Sequence, residues 1–78
     1  MELIDPPWID ELEELKNKGV RFLTIREVAH ISGVSPWTVR RLIRSGQIDA
    51  VKFKAQWVVY IDSFIEFTRK NYNLNIDD

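Results

Sequence analysis

Eighteen residues limit the fold most tightly: AHISGVSPWTVRRLIRSG, from Ala29 to Gly46. Gly33 can take the positive φ that ends a helix in a sharp corner. Two residues later, Ser35-Pro36 is a helix start, with serine as N-cap and proline at the first helical position. Ser45-Gly46 closes that second helix. Upstream, Thr24-Ile25-Arg26-Glu27 has the form of a capping box, in which the Thr24 hydroxyl takes the Glu27 amide and Glu27 reaches back. The helix so started buries Ile25, Val28 and Ala29 and stops at Gly33.

Two short helices around a glycine corner predict a helix-turn-helix. On either side the pattern changes. Asp5-Pro6-Pro7 reads as the start of an acidic helix over residues 2–18, with Asp10, Glu11, Glu13 and Glu14 early, Lys16 and Lys18 late, and Gly19 as its stop. Trp8, Leu12 and Leu15 share one face of it, and Trp8 anchors it to the body. Phe22-Leu23 reads as a short strand. Ile48 to Phe53 and Trp57 to Ile61 are rich in β-branched and aromatic residues and read as a hairpin around Lys54-Ala55-Gln56. Alternation puts Val51 and Phe53 on one face, and Trp57, Val59 and Ile61 on one face, with Trp57 expected in the core beneath the second helix of the pair. A last helix follows Asp62-Ser63, buries Phe64, Phe67 and Thr68, and ends near Asn71. The division expected is an acidic helix (1–19), a central domain (20–71) and a short frayed acidic tail (72–78).

At about 100° per residue, Val39, Leu42 and Ile43 gather on one side of the helix after Ser35. Trp37, Arg40, Arg41 and Arg44 spread over roughly 100° of arc on the other side. Arginine pairs with phosphate oxygens, and its fork matches the O6/N7 edge of guanine in the major groove. The Ser35 end also turns free amides and a positive dipole outward, toward where a phosphate would sit. A basic helix face alone is commonly only solvated. Here no acid occurs from Val34 to Gln47, the face lies on the second helix of a helix-turn-helix, and Lys52 and Lys54 follow on a hairpin.

Net charge is −1, but it is segregated. Residues 1–18 carry six acids against two lysines, while residues 19–70 carry nine Lys/Arg against four acids. The field that a polyanion meets is therefore positive in the middle of the chain. With no cysteine there is no disulfide framework or thiolate metal site, which fits a cytoplasmic protein. Nothing is apolar for long enough to span a membrane, and the acidic, proline-broken start is unlike a secretory signal.

The stretch FLTIREVAHISGVSPWTVRRLIRSGQIDAVKFKAQWVVYIDSFIEF resembles the excisionase-type winged helix-turn-helix domains, relatives of the MerR DNA-binding domain. The likeness rests on LTIREVA, on GVSPWTVRRLIRSGQI and on a hairpin with Trp57 leading into DSFIEF. It implies a mainly α fold with a small β-hairpin wing and, in this chain, an extra N-terminal helix. By the resemblance, Ser35, Trp37, Thr38, Arg40, Arg41 and Arg44 match the recognition helix (35–45), and Lys52, Lys54 and Gln56 match the wing (48–61). The chain departs from the family pattern in a wing turn without glycine and in Val58, where an arginine is common.

The expected partner is double-stranded DNA, with no cofactor or metal. The resemblance further implies an architectural factor that directs an integrase toward excision, aided by that recombinase or by neighbouring copies on DNA. A small phage or plasmid transcription regulator, an adaptor using the acidic helix to dock a basic protein, and a fragment of a recombinase or terminase are the alternatives. The chain ends before the long dimerising helix and sensor domain of MerR regulators, so no small-molecule effector is expected. An enzyme is not expected either. His30 has no cysteine beside it, and the carboxylates of residues 10–14 lack a basic or polar cleft partner.

Overall fold

Thr24 and Glu27 close a reciprocal cap in the computed structural model, which describes residues 6–76, with side chains to Asn71. Glu27 donates its amide to Thr24 Oγ1 at 3.1 Å, and Thr24 donates its own to Glu27 Oε1 at 2.8 Å. That cap joins β1 (Phe22–Thr24) to α2 (Ile25–Ser32). Gly33 ends α2 at φ 76°, donating to the Ala29 carbonyl at 2.9 Å. A side chain there would be strained, which is why glycine makes this corner. Ser35 then caps α3 (Pro36–Arg44) through its Oγ, which accepts the Thr38 amide at 3.1 Å.

The remaining elements are α1 (Trp8–Asn17), β2 (Ala50–Phe53), β3 (Gln56–Tyr60) and α4 (Ile61–Ile76). The three strands form one antiparallel sheet in the order β1-β3-β2. Four helices and this small sheet make a mainly α, winged helix-turn-helix fold with an added N-terminal helix.

Register decides which way each strand residue faces, because directly paired residues share a side of the sheet. Leu23, Val59 and Ala50 lie opposite one another, and the first two are buried against the helices. Trp57 and its partner Lys52 lie on that same side, nearer the hairpin tip. The other side carries Phe22, Val51, Phe53, Gln56, Val58 and Tyr60. Phe22 and Tyr60 touch there, with ring centroids 4.9 Å apart.

One core holds the molecule together. Val28 from α2, Val39 from α3, Val59 from the sheet, Phe64 from α4 and Leu12 from α1 all contribute to it. Full burial of a side chain such as Leu12 stabilises by about 1.5–3 kcal/mol. Two ion pairs also link α1 to α4: Glu13 with Arg69 at 2.5 Å and Lys16 with Asp62 at 2.6 Å. Both are substantially solvent-exposed, so burial of Ile9 and Leu12 carries more of the attachment.

Six local expectations need correction. The first helix starts at Trp8, not at residue 2: Pro6 is buried, Pro7 is its N-cap, and residues 1–5 lie outside the described residues. Ile9 supplies the buried face together with Leu12, whereas Trp8 and Leu15 are half-buried against the core. Ile61 opens α4 instead of closing the second strand. The turn is Lys54-Ala55 alone, with Gln56 already paired to Phe53. The last helix does not stop near Asn71 but continues to Ile76, so the expected tail of 72–78 is helical backbone for most of its length. Finally, Trp57 is not a core residue. It is 39% exposed and borders an open groove with Ile25, Arg40, Ile43 and Arg44.

Candidate nucleic-acid interface

The start of α3 is rigidly framed. The Ser35 hydroxyl, besides accepting the Thr38 amide, lies 3.0 Å from the Thr38 hydroxyl. Both oxygens thus belong first to the cap. Thr38 is half-buried and borders an apolar hollow of about 300 Å³ with Trp8, Leu42 and Phe64. Of the residues assigned to the recognition helix, Thr38 therefore stands closest to the body.

The remaining four form two rows along the helix, each with the i, i+4 spacing that makes neighbours. Trp37 and Arg41 form one row: the Arg41 guanidinium lies 5.0 Å from the centroid of the Trp37 ring, and Trp37 is 64% exposed. Stacking of this kind is worth about 0.5–1 kcal/mol at an exposed site, enough to bias where the guanidinium points. Arg40 and Arg44 form the second row. They border a groove of about 290 Å³ whose other walls are Ile25, Ile43 and Trp57. Among the described residues, none of these three arginines meets a carboxylate. Their charge is left for a ligand.

The hairpin divides its three expected residues. Lys52 shares the α3-facing side with Trp57. Lys54 stands in the turn itself at φ 59°, its ammonium 5.7 Å from the Phe53 ring centroid. Gln56 pairs with Phe53 and lies on the opposite side of the sheet from Lys52. The structure thus brings Arg40 and Arg44 to one groove with Trp57, places Lys52 across the strand from Trp57, sets Arg41 with Trp37, and leaves Gln56 facing away. Trp57, assigned from the sequence to the core, is the lining residue that the sequence reading missed. Its pairing with Lys52 near the hairpin tip, beyond the part of β3 that β1 covers, is the signal that points there.

A family model described as a helix-turn-helix domain matches residues 22–72, from β1 into α4. The chain belongs to that family. It is a family of DNA-binding domains, and the matched span includes both the α2-α3 pair and the hairpin. No curated protein and no solved structure matches the chain. In this helix-turn-helix protein, α1 precedes the matched span, although its Ile9 and Leu12 lie in the common core. Among the described residues no helix is long and apolar enough to cross a membrane.

Proposed function

We propose that this helix-turn-helix protein binds double-stranded DNA sequence-specifically, with the exposed face of α3 in a major groove and the β2-β3 hairpin against the neighbouring backbone. The observation that carries this reading is the acid-free face of Arg40, Arg41 and Arg44, three guanidiniums without a carboxylate partner among the described residues, on the second helix of the pair. A helix of this diameter fits the major groove, and arginine there can read guanine bidentately. Lys52 and Lys54 supply phosphate contacts, and Ser35 with the first amides of α3 supplies another. Gln56 takes a lesser part, since it faces away from the groove side of the hairpin.

Within DNA binding, the excisionase-type reading is the one the sequence resemblance favours: an architectural factor that shapes a recombination site for an integrase and performs no cleavage itself. A module of this size covers little DNA, so neighbouring copies or the recombinase would add to its specificity. The adaptor reading, in which α1 docks a basic partner, is weakened by the fold. Ile9 and Leu12 are spent in the core, and Glu13 is engaged by Arg69.

Selection of duplexes from a randomised pool by the purified protein tests the proposal. Enrichment of one motif with a guanine-containing core supports it. Retention of the pool without enrichment, at a salt concentration where binding persists, overturns the sequence-specific part.

A further inference from the structure

The groove between α3 and β3 combines features that a purely structural crevice lacks. Its floor is apolar, made by Ile25 and Ile43, and one wall is the partly exposed indole of Trp57. Its rim on the helix side is cationic, with Arg40 and Arg44, and Lys52 is the cross-strand neighbour of Trp57 on the same side of the sheet. An apolar wall under unpartnered positive charge suits a ligand that is greasy on one side and anionic on the other. One deoxyribose with its phosphate has that character, and it borders any helix lying in a major groove.

We infer that this groove seats one sugar–phosphate of the duplex backbone, the indole of Trp57 packing on the deoxyribose while Arg40 and Arg44 hold the phosphate, which makes Trp57 a DNA-contacting residue. The inference rests on the DNA-binding reading and adds to it a site of defined chemistry. Aromatic faces pack on nucleotides without regard to sequence, so Trp57 contributes to grip and register and leaves base choice to Arg41. Lys52, paired with Trp57, reaches the next phosphate along the same strand.

The test uses the full chain and its selected duplex, with single methylphosphonate substitutions that neutralise one phosphate at a time. For wild type, one position next to the recognition site should cost about fivefold or more in affinity. In the double variant Arg40→Ala with Arg44→Ala that same substitution should cost little further, because both of its partners are already gone. Trp57→Ala should weaken binding about fivefold or more on any sequence the protein retains, with Trp57→Phe between it and wild type. A fluorine label on Trp57 in the unmutated protein reports the same contact without any risk to folding, since its resonance should move when duplex is added. If wild type binds the duplex tightly while the label stays still, or while Trp57→Ala binds as well as wild type, the groove is not a backbone seat. If wild type binds no duplex at all, the DNA-binding reading itself fails, and this assignment with it.

Discussion

Arg41 and Arg44 differ in what holds them. Arg41 is steered by the Trp37 ring, while Arg44 stands at the mouth of the groove with Trp57. Arg41→Ala should weaken binding to the selected duplex by about 1–3 kcal/mol and relax its sequence preference, whereas Arg44→Ala should weaken binding on every sequence, both measured by anisotropy titration. Equal affinity for both variants and wild type would remove α3 from the interface. Lys54 carries a different expectation. It is the one non-glycine residue at positive φ among those described, in a conformation that costs an L-residue about 1–2 kcal/mol. Lys54→Gly should therefore hold or raise the melting temperature while flattening the salt dependence of DNA binding by about one unit of log–log slope. At this scale the caps and the arginine face were legible because they depend on residues no more than four apart. Trp57 is less legible because alternation tells which side a strand residue faces, but not whether the space on that side is filled or left as an open groove.

The corner between α2 and α3 is set by three local devices, namely the Thr24 cap, the positive φ of Gly33 and the Ser35 cap. All three are written in short sequence windows, so both helices and the turn could be read in advance. Ser35→Ala removes the acceptor of the Thr38 amide and should cost about 1 kcal/mol, seen as a drop of about 4–8 °C in the melting temperature. An unchanged melting temperature would mean that the cap is dispensable. Boundaries set by non-local packing were less legible. The helix continuing through Asn71-Tyr72-Asn73 runs over residues of modest helix propensity, which conceals its length. The first helix is shortened by Pro6-Pro7, and its buried face turns on Ile9, three residues before Leu12 and outside the Trp8-Leu12-Leu15 row. The Phe22-Leu23 strand was visible, but its pairing with β3 joins residues far apart in sequence and follows from tertiary packing alone.

Across the whole molecule, charge and burial are partitioned. The acidic α1 lies against α4, with Glu13 on Arg69 and Lys16 on Asp62, while the cations of α3 and the hairpin have no carboxylate partners among the described residues. The segregation along the chain thus becomes a segregation of surfaces, which a net charge of −1 hides. Holding α1 in place depends on a small core. Leu12→Ala should cost about 2–5 kcal/mol, a large share of what a domain of this size possesses, and chemical denaturation would measure it. A loss below 1 kcal/mol would mean that α1 is not integral to the fold. In the proposed complex the α3 face and the α3-facing side of the hairpin lie against duplex DNA. Amide chemical-shift mapping of the labelled protein against its selected duplex tests that most directly. The largest changes are expected at Arg40, Arg41, Arg44, Lys52 and Lys54, with α1 almost silent. Changes concentrated on α1, or on the outer sheet face of Phe22, Val58 and Tyr60 with α3 unmoved, would contradict it.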